Sequence, residues 1–192
     1  MGTIVISENI TLDGVIEDPT GDDGFSRGGW FNEIGDEDRG AWAEVEAGEA
    51  ERAQATLLGR RTYEWLIARG WPTRTGPWAE RLTSMPKYVV SSTLVDPAWS
   101  GTTVLNGHAV DEARVLKDRL AGEILVNGSG RLARTLIEHD LVDEVRLMIY
   151  PFVLGSGERL FPETSERRPM RLVETRTVGE RLALVTYEVV RQ

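Results

Sequence analysis

The sequence predicts an α/β domain with a mixed, mainly parallel sheet that is flanked by helices and extended by a C-terminal antiparallel hairpin. Up to about residue 150, short apolar runs alternate with stretches of helical spacing. This order is typical of parallel sheets, because each crossover helix returns the chain to the same edge. Near the C-terminus, residues 171–178 and 182–190 read as two strands joined by Gly179 and Glu180, which predicts a hairpin.

Along the chain, the spacing of apolar residues changes clearly between one predicted element and the next. β-branched and apolar residues begin the series of strands, and the helical segments place apolar residues three or four positions apart. The predicted strands are residues 3–7, 55–58, 88–91, 124–127 and 145–150. The predicted helices are residues 39–53, 62–68, 111–120 and 132–139.

Length and composition predict one domain that spans residues 1–192, because 41% of the residues are hydrophobic and no linker or repeat interrupts the chain. A net charge of -9 with scattered basic residues disfavours nucleic acid as a partner. No apolar run is long enough for a membrane span, and the absence of cysteine fits a reducing compartment, so we expect a cytoplasmic protein. His108 and His139 are isolated, which predicts no metal site.

The strand at 124–127 ends in small residues and leads directly into a helix. The residues of this junction are Gly128, Ser129, Gly130, Arg131 and Leu132. Backbone N–H groups at such a helix start lie at the positive end of the helix dipole and can bind a phosphate. The alternative is a tight turn that needs glycine for its backbone conformation and binds nothing.

Two other predicted strands end in groups of the same kind. The strand at 55–58 is followed by Gly59, Arg60 and Thr62. They offer a phosphate close approach to the backbone, a positive charge and a hydroxyl. The alternative is an ordinary capped helix. Ser91 and Ser92 follow the next strand, where their hydroxyls serve a ligand or satisfy the loop backbone. Because open α/β sheets bind ligands beyond the carboxyl ends of their strands, the three ends together predict a site for a phosphorylated ligand.

Six segments in order resemble the dihydrofolate-reductase-like superfamily, in the branch similar to the reductase domain of riboflavin biosynthesis. The segments are 7–16 (SENITLDGVI), 58–64 (LGRRTYE), 87–94 (KYVVSSTL), 124–133 (ILVNGSGRLA), 141–144 (LVDE) and 151–161 (PFVLGSGERLF). The resemblance implies a dihydrofolate-reductase-like sheet. It also implies a homodimer, to which the segment at 151–161 is expected to contribute a contact.

The resemblance further implies NADPH as the cofactor. Gly59, Arg60 and Thr62 match the segment that meets the cofactor phosphates, with the arginine near the adenosine 2′-phosphate. Ser91 and Ser92 match the segment that flanks the same phosphate. The pyrophosphate turn is matched by Gly128, Ser129, Gly130, Arg131 and Leu132, and many members carry paired glycines where this chain has Ser129.

Hydride transfer also needs a proton source, and in dihydrofolate reductases an acidic residue early in the first helix orients the substrate. The candidates here are Asp36 and Asp38, whose alternative role is to cap the helix, and Asp13 near the nicotinamide. Leu12 and Gly14 match the loop beside the nicotinamide, or belong to an ordinary Asp-Gly turn.

The least regular stretch of the chain, residues 18–40, contains Trp30 and Phe31 after two glycines. We expect a mobile lid with an aromatic platform for a flat heterocycle, and the alternative is that both rings plug the core. The stretch is rich in Asp and Glu, with Arg27 and Arg39 as its cations, whereas a ribose-phosphate substrate requires basic residues.

The predicted function is therefore an NADPH-dependent reductase that transfers a hydride to a small heterocyclic or carbonyl substrate. Three alternatives remain open at this point. They are a 5-amino-6-(5-phosphoribosylamino)uracil reductase of riboflavin biosynthesis, a dihydrofolate reductase, and a nucleotide-binding regulator without catalysis.

Overall fold

The structure is a computed structural model that describes residues 1–161 and 166–191. Within them the chain forms eight strands: β1 (Thr3–Thr11), β2 (Ala53–Gly59), β3 (Lys87–Val90), β4 (Thr102–Leu105), β5 (Glu123–Asn127), β6 (Glu144–Tyr150), β7 (Met170–Val178) and β8 (Leu182–Val189). The α-helices are α1 (Asp36–Arg52), α2 (Arg60–Ala68), α3 (Pro77–Ser84), α4 (Ala109–Arg119) and α5 (Gly130–Glu138). Short 3-10 helices occur at Trp30–Glu33 and Trp71–Thr73. None of the described helices has the length and apolar character needed to cross a membrane.

The strands form one sheet in the order β4-β3-β2-β5-β1-β6-β8-β7. β3 pairs in parallel with β4 and with β2, and β2 pairs in parallel with β5. β8 pairs antiparallel with both β6 and β7, so the C-terminal hairpin extends the sheet. These pairings confirm the predicted mixed α/β fold with its C-terminal antiparallel strands.

One α-helix and one strand were not predicted, and α1 begins three residues before its expected start. α3 has eight residues and β4 has four, too few for a period to stand out, although Pro77 at the start of α3 is a common helix-start signal. α1 begins at Asp36 rather than at residue 39, so the acidic residues of this segment belong to its first turn.

The chain divides into two compact units. The first unit comprises Met1–Ile6 and Glu46–Asp143, and the second comprises Ser7–Val45 and Glu144–Gln192. In the first unit, one apolar cluster contains Tyr63, Trp71, Val89 and Trp99. α5 buries Leu132, Ala133, Leu136 and Ile137, the periodicity from which the helix was predicted.

Lys87 on β3 is buried beside the C-terminal end of α3, with 1% of its surface exposed. Its Nζ donates to the carbonyl oxygens of Leu82, Thr83 and Met85 at distances of 2.8 to 2.9 Å. The same atom lies 4.8 Å from the centroid of the Trp99 ring. Burial lowers the pKa of the Lys87 ammonium to about 8, so the group is still charged at neutral pH.

Lys117 on α4 is also buried, with 3% of its surface exposed. Its Nζ forms an ion pair with Asp143 and donates to the carbonyl oxygen of Leu141 at 3.0 Å. Asp143 accepts a further hydrogen bond of 2.7 Å from the backbone N–H of Ile4. Each lysine therefore has its charge neutralised or solvated by groups of the first unit.

Trp30 lies in the core of the second unit and is 1% exposed. Its ring meets that of Tyr150 edge-on at 5.1 Å, and its Nε1 donates to the carbonyl oxygen of Glu17 at 3.1 Å. Phe31 meets Trp42 at 4.8 Å and is partly buried. The structure thus corrects the expectation of a Trp30 platform on a lid, because the alternative role in the core is the one that its side chain has.

The loop that precedes Trp30 is fixed by a single residue, Asp18. The Asp18 carboxylate accepts hydrogen bonds from the backbone N–H groups of Asp23 and Phe25, each at 3.0 Å. The Asp18 carbonyl oxygen accepts two more from Gly21 and Gly29, at 3.1 and 2.9 Å. Four backbone donors bound to one residue make this a braced loop, which differs from the mobile lid expected from its glycine content.

Candidate functional site

Three strand ends meet at one edge of the first unit. β3, β2 and β5 are consecutive neighbours in the sheet, and β2 pairs in parallel with each of the other two. Their carboxyl ends therefore lie at the same edge, where β2 leads into α2 and β5 leads into the turn before α5. This arrangement brings together the three groups of residues that the sequence singled out.

The N-termini of α2 and α5 are joined by two hydrogen bonds through Ser129. The backbone N–H of Gly59 donates to the Ser129 Oγ at 3.0 Å. The backbone N–H of Ser129 donates to the Thr62 Oγ1 at 3.0 Å. Gly128 and Ser129 both have positive φ values of 61°, the region in which glycine is favoured and serine is uncommon. We refer to Gly59, Thr62 and Ser129 as the hydroxyl bridge.

The first turn of α5 leaves backbone donors without partners in the helix. The first hydrogen bond of the helix runs from the N–H of Ala133 to the carbonyl oxygen of Ser129, at 3.0 Å. The N–H groups of Gly130, Arg131 and Leu132 precede it and point out of the helix end. The Leu132 side chain is buried, so only its backbone can contact a ligand.

Arginine side chains flank these donors on the surface. The Arg60 guanidinium donates to the Thr93 Oγ1 at 3.1 Å and lies 3.8 Å from a carboxylate oxygen of Glu64. Arg131 is exposed at the start of α5. Positive charge is therefore concentrated at the edge where the strands end, on a chain whose net charge is -9.

The two serines after β3 have different roles. The Ser91 Oγ accepts hydrogen bonds from the backbone N–H groups of Thr93 and Leu94, at 3.2 and 2.9 Å. This closes a local turn, which is the structural alternative that the sequence left open. Ser92 is exposed and remains the serine whose side chain faces solvent.

Sequence reasoning missed a hydrogen bond directly before the turn. The Asn127 Nδ2, at the end of β5, donates to the Glu46 Oε2 of α1 at 2.7 Å. Glu46 is 7% exposed. The two residues are 81 positions apart, so no local pattern could have shown their contact. The bond fixes the residue that precedes Gly128.

In the second unit, Asp13 binds the segment that follows β6. Its Oδ1 accepts from the Thr11 hydroxyl at 2.7 Å and from the Leu154 N–H at 3.1 Å, and its Oδ2 accepts from the Gly155 N–H at 2.7 Å. The Thr11 hydrogen bond and those from the backbone outweigh desolvation and lower the pKa of Asp13 to about 2. The carboxylate thus holds the segment that follows β6, and a catalytic role for Asp13 stays a prediction.

Asp38 has a structural role of the same kind. It is 1% exposed, and its carboxylate accepts from the Arg181 Nε at 2.7 Å and from the N–H groups of Glu180 and Arg181 at 2.7 and 3.1 Å. Burial raises the pKa of Asp38, but these hydrogen bonds outweigh it and hold the pKa below its ordinary value. The carboxylate thus binds the turn between β7 and β8, and its candidacy as a catalytic residue stays a prediction. Asp36 lies in the exposed first turn of α1 and stays a prediction.

Leu12, Gly14 and Phe31 are the remaining residues predicted to bind substrate, and all three lie in the second unit. Leu12 is 63% exposed. Gly14 has a positive φ of 83°, and its N–H donates to the carbonyl oxygen of Thr11 at 2.9 Å, which is the ordinary Asp-Gly turn. A role for these residues toward a ligand stays a prediction.

A family model, the RibD C-terminal domain, matches residues 2–184 of the chain. The chain belongs to this family. Among its relatives is the uncharacterized protein YyaP of Bacillus subtilis (strain 168), which is 29% identical over 189 residues, 96% of this chain and 93% of YyaP.

Solved structures agree with the family in fold. A putative riboflavin biosynthesis protein from Shewanella sp. PV-4 matches with a TM-score of 0.70 at 21% identity, covering 98% of this chain and 99% of that one. Dihydrofolate reductase from Enterococcus faecalis, solved in complex with NADP(H), matches with a TM-score of 0.60 at 19% identity, covering 98% and 97%. The RibD C-terminal domain family and these neighbours place the chain in a family of reductases with the dihydrofolate-reductase-like fold.

The strand ends of this RibD C-terminal domain have the groups that a dinucleotide phosphate needs. Helix-end N–H groups, hydroxyls and two exposed arginines lie at one edge of the first unit. Anionic oxygens are bound by such donors in the absence of any metal. The residues therefore fit the phosphates of a nicotinamide dinucleotide.

Proposed function

We propose that the chain is an NADPH-dependent reductase that transfers a hydride to a small heterocyclic or carbonyl substrate. One observation carries the proposal. Three strand ends, each with groups suited to a phosphate, lie at the same edge of the sheet in a chain of the RibD C-terminal domain family. When bound, the cofactor supplies the hydride, and the protein supplies binding and orientation.

Each strand end has a part in holding the cofactor. In the proposal, the N–H groups of Gly130 and Arg131 and the hydroxyl of Thr62 bind the pyrophosphate. Arg60, Arg131 and Ser92 bind the 2′-phosphate that distinguishes NADPH from NADH. A protein with a net charge of -9 attracts this phosphate only where cations are concentrated, and Arg60 and Arg131 supply that concentration.

The positive residues of the 18–40 stretch support a substrate without a phosphate. The Arg27 guanidinium donates to the carbonyl oxygen of Leu154. The Arg39 guanidinium donates to the carbonyl oxygens of Asn32 and Ile34, at 3.3 and 3.2 Å. Both arginines thus use part of their donors on the main chain, in a stretch where seven acidic residues outnumber these two cations, which disfavours a ribose phosphate.

The test of the cofactor is a calorimetric titration of NADPH and NADH into the wild type and Arg60→Ala. We expect the wild type to bind NADPH more tightly than NADH. Arg60→Ala should lose roughly 1–3 kcal/mol of NADPH binding, the range for a hydrogen bond to a charged group, and much less of NADH binding.

The matched control for Arg60→Ala is Arg114→Ala. Both side chains are about half exposed, 47% and 55%, and both pair with an acidic residue of their own helix, but Arg114 lies on α4. It should bind both cofactors as the wild type does. Equal wild-type affinities for the two cofactors, or an equal loss of both in Arg60→Ala, would contradict the assignment of the 2′-phosphate.

A second candidate function is reduction of 5-amino-6-(5-phosphoribosylamino)uracil, which the family match favours. NADPH oxidation should be measured with this compound, with its dephosphorylated form, and with a panel of pterins, pyrimidines, quinones and carbonyl compounds. Turnover that depends on the substrate phosphate would favour the second candidate over our proposal. Cofactor binding without turnover of any compound would instead favour a non-catalytic regulator.

A further inference from the structure

β7 forms one end of the sheet and is long for an edge strand. In the part of the chain that the structure describes, the strand order ends with β8-β7, so β7 pairs with a neighbour on one side only. Its residues 171–177 are all exposed, with Leu172 at 51% and Val173 at 49%. The strand at the other end, β4, has only four residues. A long exposed edge presents backbone N–H and C=O groups to which another strand can add.

Charged side chains commonly protect the edge of a sheet, and β7 carries charges of both signs. Arg171 forms an ion pair with Glu188 of β8, and the Arg176 Nε lies 3.4 Å from the Glu174 Oε1. The side chains of Arg176 and Glu174 are 49% and 53% exposed. Charges of one sign would repel a second copy of the strand, whereas these two pairs have no net charge. The charges of β7 therefore permit pairing with a copy of itself.

The sequence of β7 favours one register for such a pair. In an antiparallel pair related by a two-fold axis, opposite side chains point to the same face, so the axis passes through a residue that meets its own counterpart. An axis at Glu174 or at Arg176 puts like charges directly opposite each other, which destabilises the pair. An axis at Thr175 puts Glu174 of each copy opposite Arg176 of the other.

We propose that β7 pairs antiparallel with β7 of a second copy of this chain, with Thr175 opposite its counterpart, so that the two sheets join edge to edge. This register gives two ion pairs between Glu174 and Arg176 and one Thr-Thr pair, which are favourable cross-strand contacts. The edge of β7 is a different surface from the segment at 151–161, for which the resemblance implied a contact. Pairing at this edge is independent of the proposed cofactor and substrate.

Single cysteine variants test the register, because the chain has no cysteine of its own. Thr175→Cys puts two thiols at the axis, where opposite Cα atoms lie about 4.5–5.5 Å apart and a disulfide can form. The matched control is Thr177→Cys, another exposed threonine of β7, whose two copies would lie about 13 Å apart in this register. Under mild oxidation, Thr175→Cys should form a covalent dimer on a non-reducing gel about tenfold faster than Thr177→Cys.

A charge exchange tests the ion pairs between the two copies. Glu174→Arg and Arg176→Glu each put like charges opposite each other at two places, so each should weaken the dimer about tenfold or more. Both variants also lose the ion pair within the strand, which mixing them cannot restore. In an equimolar mixture, each introduced charge faces an opposite charge of the other variant, so light scattering should show the dimer again. The control Arg114→Glu, a charge reversal on α4, should leave the mass of the wild type unchanged.

The outcomes for β7 are distinct from those for the cofactor. A wild type with the mass of one chain at every concentration overturns the pairing, as does a dimer in which Thr177→Cys cross-links as fast as Thr175→Cys. Charge variants that dimerise like the wild type, or a mixture of them that stays monomeric, overturn it as well. Faster cross-linking of Thr175→Cys, together with a dimer that returns on mixing, supports it. None of these measurements uses a cofactor, so a failure of the proposed function leaves them unchanged.

Discussion

Asp13 shows how one carboxylate can hold a loop through its charge. Its two oxygens accept from the Thr11 hydroxyl and from the backbone N–H groups of Leu154 and Gly155. The Arg159 Nε donates to the Asp13 carbonyl oxygen at 2.9 Å, so the same residue binds the segment at two points. Because these donors favour the ionised form, the pKa of Asp13 falls to about 2 from its ordinary value of 3.8.

Asp13 should therefore make the free energy of unfolding depend on pH in the acid range. A pKa that is lower in the folded state contributes stability fully above about pH 4, and the contribution is lost as the pH falls through about 2. Asp13→Asn should cost about 1 kcal/mol at pH 7, a value reduced because water reaches part of the carboxylate. The cost should be smaller at pH 3 than at pH 7. Urea unfolding of the wild type and Asp13→Asn at pH 7 and at pH 3 measures the difference in the free energy of unfolding.

The control for this prediction is Asp118→Asn, which changes an exposed aspartate on α4. It should alter the free energy of unfolding by less than about 0.5 kcal/mol at either pH. A cost for Asp13→Asn that stays the same from pH 7 to pH 3 would contradict the role assigned to the ionised carboxylate.

The sequence could predict which strand ends meet, but not how their side chains pair. Gly59 and Ser129 were singled out because glycine and serine after a strand indicate a turn, and the parallel order of β2 and β5 brings them together. The hydrogen bonds of Ser129 with Gly59 and Thr62, and that between Asn127 and Glu46, join positions 67 to 81 residues apart. Such contacts follow from tertiary packing, which local propensity does not report.

At the scale of elements, α3 ends on a buried ammonium. The last carbonyl groups of a helix have no partner within it, and here the Lys87 Nζ binds those of Leu82 and Thr83 together with that of Met85. The positive charge also interacts favourably with the negative end of the helix dipole. The Trp99 ring adds a cation–π contact. A helix of eight residues is marginally stable by itself, so such an end group contributes much of its stability.

Lys87→Met should therefore destabilise the protein by about 2 kcal/mol, because it leaves buried carbonyl groups without a donor. Methionine has nearly the same length and fills the space, so the loss reports on the ammonium. Urea unfolding at pH 7 measures it. The control is Arg114→Met, which removes an exposed helix cation and should cost less than about 0.5 kcal/mol. A similarly small loss for Lys87→Met would show that the end group contributes nothing.

Element boundaries were predictable where the hydrophobic period was long. α5 and the hairpin of β7 and β8 were expected within a residue or two, since their apolar positions repeat over eight or nine residues. The position of Trp30 could not be predicted, because glycines before an aromatic pair fit a flap as well as a braced loop. The Asp18 hydrogen bonds that decide between them connect residues across the loop and leave no periodic signal.

At the scale of the whole molecule, β1 and α1 each contribute residues to both compact units. The division falls after Ile6 within β1 and after Val45 within α1. Elements that are continuous in this way favour a single cooperative transition, which is our prediction for residues 1–192. Far-UV circular dichroism and tryptophan fluorescence should give coincident urea unfolding curves. Two separate transitions would contradict the prediction of one domain.

A homodimer is the second prediction at this scale. The second unit exposes apolar side chains that monomers usually cover, with Val153 at 70%, Leu172 at 51%, Val173 at 49% and Phe161 at 38%. Val153 and Phe161 belong to the segment expected to contribute a contact. Light scattering should give about twice the chain mass of 21.4 kDa, and Val153→Asp should shift the mass toward one chain. A wild-type mass near 21.4 kDa at every concentration would contradict the dimer.

The burial of both lysines affects how the protein reacts with acylating reagents. The sequence has only Lys87 and Lys117, and they are 1% and 3% exposed, so the folded surface offers such a reagent no lysine amine. Acylation at either position requires the chain around it to open first. The rate of modification at Lys87 would then measure the opening of the end of α3, and the rate at Lys117 the opening of α4. The two lysine side chains thereby serve as internal probes of local unfolding.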